Sequence, residues 1–318
     1  MEIKVSIVIP VYKVEKYIER CLWSVFNQTY ANIECVIVND CTPDNSFIIA
    51  KNIVESYQGS IDFKFVEHEK NKGLSEARNT GIKMATGYYY FFLDSDDAIP
   101  PTSIEKLVET ALLNDCPEIV MGVTKGVDAN GNNVEVSSAQ TKSFHDNASV
   151  LKGYVENQWY IIACNKLIRR DIFAEYHTYF MPGITHEDVL WSFEISTYIK
   201  ALILCNDVTY YYCIGDSNSI SRSPWNAKRI NDGISILEKK SSYIGKVSDD
   251  RLLTQHIKEE SINLIYSLFR NDVSSNDMKQ YIKRIMKITS NNPTKEKYNV
   301  NVPLYRKLVY YFCMVVYS

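Results

Sequence analysis

At 318 residues, with 46% hydrophobic and 23% charged residues and a formal net charge of −3, the chain has the make-up of an ordinary globular protein. There is room for one large α/β domain with an appendage, or for two modest domains, and no overall basic excess of the kind that coats nucleic acid. The charge is uneven: residues 1–224 carry 19 Lys+Arg against 29 Asp+Glu, a balance of −10, while residues 225–318 carry 16 against 9, a balance of +7.

The eight cysteines are scattered without a Cys-x-x-Cys pair, several of them inside apolar runs where a thiol acts as a small hydrophobe, so a reducing cytoplasm is expected. Met1-Glu-Ile-Lys leads straight into an apolar run, without the basic region, long apolar segment and cleavage site of a secretion signal. No stretch approaches the roughly 20 apolar residues that span a bilayer. The expected location is cytoplasmic, with peripheral contact at the inner face of the plasma membrane left open by the basic C-terminal quarter.

Taken in order, Val5–Pro10 reads as a buried strand ended by proline, and Ile18, Leu22 and Val25 give Lys16–Phe26 a helical spacing. Ile33–Val38 is a second strand, Ser46–Tyr57 a helix, Phe63–Val66 a third strand. Leu74, Ala77, Gly81, Ile82 and Ala85 line one face of another helix, and Tyr88–Leu93 is a fourth strand. Strands alternating with helices of about 10–15 residues imply a parallel, doubly wound sheet. Four strand ends then meet on one edge: Pro10–Tyr12, Asn39–Asp40, Glu67–His68 and Asp94–Asp97.

Beyond these, Thr102–Asn114 reads as a helix, Ile119–Met121 as a strand and Asp128–Asn133 as a hairpin-type turn. Residues 132–160 carry little pattern. Asn165–Asp171 leads into a short helix, a loop at Met181–Asp188 runs into a helix over Val189–Tyr198, and Val208–Cys213 closes the main domain as a strand. From Trp225 the chain turns helical and basic, over Ile230–Lys240, Leu252–Phe269 and Met278–Ile288, with a linker at 291–297 and an aromatic, apolar tail at Leu304–Tyr317. The expected domains are therefore 1–224, an α/β catalytic domain, and 225–318, a helical appendage whose tail is amphipathic enough to lie on a membrane or to pack on protein.

The end of the fourth strand is the feature to explain. Asp94, Asp96 and Asp97 crowd one point and repel unless a divalent cation or water takes up the charge, and carboxylate oxygens are what Mg2+ and Mn2+ select. An acidic turn with Asp97 capping the next helix is the plainer alternative. The first glycine in the chain is Gly59, so no glycine-rich phosphate loop follows the first strand. Dinucleotide dehydrogenases and P-loop enzymes are disfavoured on that ground, and a bound diphosphate would have to be held by side chains and a metal.

Val5-Ser-Ile-Val-Ile-Pro-Val-Tyr12, Cys21–Tyr30, Gly73-Leu-Ser-Glu-Ala-Arg-Asn-Thr-Gly81, Phe91-Phe-Leu-Asp-Ser-Asp-Asp97 and His186-Glu-Asp188, in that order, resemble the bacterial family 2 glycosyltransferases over residues 4–223. The resemblance implies a GT-A, Rossmann-like fold with a mostly parallel central sheet and flanking helices. It implies an inverting, hexosyltransferase-type enzyme dependent on Mn2+ or Mg2+, with a nucleotide-sugar donor, a UDP-sugar, and a saccharide or polyprenyl-linked oligosaccharide acceptor in surface polysaccharide biosynthesis. By similarity, Pro10, Val11 and Tyr12 lie against the nucleoside, Asp40 accepts from the uracil N3–H, Arg78 lies near the diphosphate, and Asp94 and Ser95 accompany the donor. Asp96 is the principal metal ligand, with Asp94 and His186 as further ones. Arg222 touches the donor from a closing segment, Asp97 and Glu187 lie on the acceptor side, and Asp188 is the catalytic base. Lys13, Asn39 and the segment Cys41–Asp44 depart from the family pattern around the nucleobase. A catalytically silent nucleotide-sugar binding or assembly module and a sugar nucleotidyltransferase are the alternatives, the latter lacking its glycine-rich loop.

Overall fold

The computed structural model describes residues 3–128, 131–134, 142–214, 226–271, 273–290 and 301–317. They fall into two compact units, one of Met1–Gly183 with Glu187–Ser217 and one of Ile184–His186 with Asn218–Ser318.

The first unit is built on a mixed eight-stranded sheet. Strands β1 (Val5–Val11), β2 (Ile33–Asn39) and β4 (Tyr89–Phe92) are buried along their whole length, as nearly continuous apolar runs with helices on both faces require, and Ser6 and Glu34 within them are buried and hydrogen-bonded to one another. With β3 (Asp62–Glu67) they form the parallel order β3-β2-β1-β4. Helices α1 (Ile18–Phe26), α2 (Ser46–Glu55) and α3 (Leu74–Met84) are the crossovers. Register aligns Val11 with Asn39 and Asn39 with Glu67, and Leu93 donates its amide to the Val8 carbonyl. The four strand ends expected on one edge are thus brought to that edge.

After α4 (Ser103–Leu113), the long strand β5 (Ile119–Asp128) pairs in parallel with β8 (Leu202–Ile214) and antiparallel with the short β6 (Asn133–Val134). Residues 147–155, unreadable by pattern, form helix α5 (Asn147–Val155), capped by Asp146, whose carboxylate accepts from the Ser149 amide. Asn165–Asp171 leads into a short helix as expected, and on the way Lys166–Arg169 form a strand that no pattern showed, β7, set antiparallel between β4 and β5. Four residues carry no period, and here pairing on both edges decides the conformation. Helix α6 (Asp171–Tyr176) follows, and α7 (Glu187–Ser196) begins two residues earlier than its apolar spacing suggests.

The second unit packs α8 (Ala227–Ser241), α9 (Asp250–Arg270), α10 (Ser275–Ser290) and α11 (Leu304–Tyr317) around Ile234, Ile257, Ile265 and Ile282. Asp232 accepts from the amide and hydroxyl of Thr185, which ties 184–186 to this unit. No helix among the described residues is long and apolar enough to cross a membrane.

Helix α3 lies close on the sheet because residue 81 is glycine: a Cβ there would stand 2.2 Å from Val8 Cγ1. Gly81→Ala is expected to lower unfolding stability by about 1–3 kcal/mol through overpacking, and combining it with Val8→Ala should cost less than the sum of the two single changes in chemical denaturation.

Candidate active site

Two polar nodes occupy the strand-end edge, and each is built around one buried residue. At the β2 end, Asp40 is 2% exposed. Its Oδ1 accepts from the Lys72 amide at 2.8 Å and meets His68 Nδ1 at 2.7 Å, while Oδ2 accepts from the Gly73 amide at 2.8 Å. His68 Nε2 contacts the Thr80 hydroxyl at 2.8 Å. Gly73, with φ +88, opens α3 in a backbone conformation that favours glycine, and this presents the two amides to Asp40. Most of the roughly four acceptor positions of the carboxylate are therefore taken by the chain itself. Beside it, Pro10 and Val11 are buried and Tyr12 is 40% exposed, with the Lys13 ammonium 5.2 Å from the Tyr12 ring centre. The Lys13 amide donates to Thr42 Oγ1 and the Thr42 hydroxyl to Asp44 Oδ1, closing the β1 and β2 loops against one another.

The second node is Arg78, on α3 and 3% exposed. Nη2 donates to Asp94 Oδ1 at 2.9 Å and Nη1 to Glu187 Oε1 at 2.7 Å, with the guanidinium 5.2 Å from the Phe180 ring centre. Burial alone would lower its pKa, but the Asp94 charge and that of Glu187 outweigh burial and hold the cation firmly protonated. Asn79 fixes the Phe180 backbone by donating to its carbonyl and accepting from its amide. Arg78 thus joins the end of β4 to the start of α7, which lies 109 residues beyond Arg78 in the chain.

The acids around it differ sharply. Asp97 is 2% exposed; its Oδ2 accepts from the Tyr210 hydroxyl at 2.7 Å and its Oδ1 from the Cys213 amide at 2.8 Å. Burial and the charges of Asp96 and Asp94 push its carboxyl well above the usual range. Asp97, expected on the acceptor side, thus has each of its oxygens engaged by β8. Glu187, also expected on the acceptor side, receives the Arg78 guanidinium on Oε1. Asp96 is exposed, and no hydrogen-bond donor from another residue reaches its carboxylate among the described residues. Loss of water on its inner side and the Asp94 charge push its carboxyl up to about 6. Asp94 keeps Oδ2 unused by Arg78, and Ser95 between them is buried.

Asp188 lies in the first turn of α7, one residue inside the helix, and Oδ1 accepts from the Val189 amide at 2.9 Å. Burial, then the Glu187 charge, push its carboxyl up to about 6 against the pull of Arg78. Asp94 acts on it as well, so the acids of the β4 end and of α7 share one electrostatic neighbourhood.

A divalent cation fits the donor set by chemistry. Asp94 and Asp96 offer carboxylate oxygens not engaged by the chain and mutually repelling, and Mg2+ at phosphate sites is commonly held by one or two carboxylates with substrate phosphates and water completing the shell. No group of three or more His, Cys, Asp or Glu arranged for a metal occurs among the described residues. His186 belongs to the second unit, with a left-handed backbone at φ 61, and Arg222 lies outside the described residues.

Three residues of the site were given no role by sequence reasoning. His68 and Asn79 act through partners 28 and 101 residues away, which no local pattern records. Lys166, inside the Asn165-Lys-Leu segment, is wholly buried on β7, donating to the carbonyls of Ile162 and Cys164; burial pushes its ammonium down to about 7. A lysine directly before the apolar pair Leu167-Ile168 was the one visible signal.

A family model described as Glycosyl transferase family 2 matches residues 6–177. The chain is 30% identical to EpsH of Bacillus subtilis over 260 residues, covering 80% of this chain and 72% of that one. It is 29% identical over 222 residues, 68% of this chain and 64% of the relative, to TarP of Staphylococcus aureus, a poly(ribitol-phosphate) beta-N-acetylglucosaminyltransferase. Among solved structures it resembles S. aureus TarS 1-349 in complex with UDP-GlcNAc, with a TM-score of 0.74 at 21% identity, covering 91% of this chain and 82% of that one. At that identity the likeness shows a shared fold, the GT-A fold.

Arg78→Met is expected to destabilise the chain by about 3 kcal/mol, because it strands Glu187 in a buried position, whereas Arg78→Met combined with Glu187→Met should be milder. Urea unfolding of the two variants distinguishes a neutralised pair from a stranded charge.

Proposed function

Since the chain belongs to glycosyl transferase family 2, we propose that it is an inverting glycosyltransferase that moves a sugar from a UDP-sugar to a saccharide or polyprenyl-linked oligosaccharide acceptor in building bacterial surface polysaccharide. The observation that carries this reading is the Arg78 bridge, which brings Asp94 at the β4 end into the same neighbourhood as Asp188 on α7. TarS, of the same fold, binds UDP-GlcNAc, and TarP is named for transfer to a poly(ribitol-phosphate), which supports a nucleotide-sugar donor and a saccharide-type acceptor.

In this reading residues 1–224 form the catalytic domain and 225–318 a helical region that holds the protein peripherally at the inner face of the plasma membrane. Tyr12 packs on the nucleoside. Asp40 orients the nucleobase edge chiefly by fixing the Lys72–Gly73 turn, with one acceptor position left for a ligand N–H. Asp96 and Asp94 would hold Mn2+ or Mg2+, which would supply positive charge against that of a departing diphosphate. Arg78, already committed to two carboxylates, acts as a positioning residue.

Asp188 takes the proton from the acceptor hydroxyl as that oxygen attacks the anomeric carbon on the face opposite the leaving diphosphate. A carboxyl raised to about 6 is a stronger base than an ordinary aspartate and is still ionised at neutral pH. Glu187 supplies part of that shift by its charge, and the Val189 amide holds the carboxylate in place.

Three outcomes are expected. Asp188→Asn should lower kcat by about 10²–10⁴ while leaving UDP binding, read by calorimetry, within error of the parent; undiminished turnover would remove Asp188 from the base role. The protonated form of Asp188 cannot accept a proton, so kcat should rise with pH through about 6 and level off above it, a limb that Asp188→Asn lacks. Chelation should abolish transfer and Mn2+ or Mg2+ restore it, and Asp96→Asn should raise the metal concentration needed for half-maximal activity.

A further inference from the structure

Helix α11 buries one face and leaves another uncovered. Tyr310 and Cys313 are buried, where the helix packs on α9 and α10, and the Tyr310 hydroxyl meets Thr289 of α10 at 3.0 Å. On the other side Leu304 is 71% exposed, Tyr305 51%, Leu308 60%, Tyr311 50% and Phe312 58%. At about 100° per residue these five positions fall within a stripe roughly 120° wide, free of polar residues. A stripe of this kind on a water-facing helix is unfavourable unless something covers it.

Next to the stripe the second unit carries a groove of about 380 Å³, lined by Asn263, Tyr266, Ser267, Arg270 and Asn271 of α9 and by Arg306 of α11. No acid lines it. Arg306 donates from Nη1 to Asn263 Oδ1 at 2.7 Å and lies 4.9 Å from the Tyr266 ring centre, and its buried Nε has no hydrogen-bond partner among the described residues. Tyr305, at the edge of the stripe, packs edge-on against Tyr266 at 5.3 Å, so stripe and groove are continuous.

We propose that the α11 stripe and the arginine groove beside it form one docking surface for an anionic phospholipid bilayer. The stripe enters the boundary between headgroups and acyl chains, and Arg270 and Arg306 meet lipid phosphates in the groove. Leucine and phenylalanine supply apolar area, tyrosines prefer the depth where a ring is half wetted, and cations beside them match a negative lipid surface. Charge selects this occupant over a second copy of the chain: self-association would set a segment of balance +7 against itself, whereas an anionic bilayer neutralises it. The proposal deepens the peripheral location in the functional reading by naming the surface and the lipid. It is tested without nucleotide or sugar, so its failure would leave the transfer reading standing.

The full chain is co-sedimented with phosphatidylcholine vesicles, with and without phosphatidylglycerol, at low and high salt. Binding is expected to the phosphatidylglycerol vesicles only and to weaken with salt. Leu308→Glu with Phe312→Glu, both at exposed positions, should abolish it without moving the thermal midpoint, and Arg270→Gln should weaken it about fivefold. Binding that ignores phosphatidylglycerol, or that survives the double glutamate variant, overturns the proposal. So does displacement by millimolar inorganic phosphate with the stripe variant unaffected, which would mark a phosphate site and not a membrane surface. A dimer in sedimentation velocity that the same double variant breaks, with no vesicle binding, assigns the stripe to a second copy and equally overturns it.

Discussion

A buried guanidinium held between two carboxylates organises the acid end of this sheet. Arg78 cannot shed its proton, and a cation removed from water is tolerated only when fully compensated. Asp94 and Glu187 supply that compensation from segments far apart in the chain. The requirement works in both directions: the β4 end and the start of α7 are fixed relative to one another because neither can leave without stranding a buried charge. The close seating of α3 on β1, allowed by Gly81, and the Asn79 clasp on Phe180 keep the guanidinium where both acids reach it.

Five aspartates around the strand ends show how hydrogen bonding sorts one residue type into different tasks. Asp40 and Asp97 are engaged on both oxygens by amides, a hydroxyl or an imidazole from their own chain, and such carboxylates hold loops in place. Asp96 receives nothing from other residues, and Asp188 accepts only from the amide that follows it, among the described residues. Desolvation and neighbouring charge raise both to about 6. Carboxylates left with open lone pairs and raised affinity for a positive charge are the ones suited to a metal or a proton in flight. Asp94 stands between the two groups, with one oxygen on Arg78 and one open.

The alternation of strands and helices was legible because β1, β2 and β4 are covered on both faces and so read as nearly continuous apolar runs. The strand-end edge followed from that alternation, and the family motifs located Asp94, Asp96 and Asp188. Strand β7 was not legible: Lys166 to Arg169 is too short for a period, and its conformation comes from pairing with β4 and β5. Nor does local sequence reveal which way a side chain turns. Asp96 and Asp97 are neighbours, yet one faces water and the other is locked to Tyr210, a partner 113 residues on. Arg78 was expected beside a diphosphate; that it is buried and paired with both Asp94 and Glu187 is something only the fold reveals.

The uneven charge of the chain acquires a physical meaning from the same distinction between committed and open groups. In the second unit Lys240 is wholly buried and spent on Glu260, and Lys228 is paired with Asp232, so these cations do not contribute an external field. Arg270 on α9 is exposed and Arg306 on α11 keeps one buried donor without a partner, both lining the acid-free groove beside an apolar helix face. Residues 1–224, at −10, are repelled by an anionic surface, while 225–318, at +7, are attracted to it. At physiological ionic strength such fields reach only about 8 Å, so net charge decides which part of the chain approaches a bilayer and local geometry decides whether it stays. Among the described side chains of α11 the exposed ones are Leu304, Tyr305, Leu308, Tyr311 and Phe312, with arginines beside them, a composition that would meet that second condition.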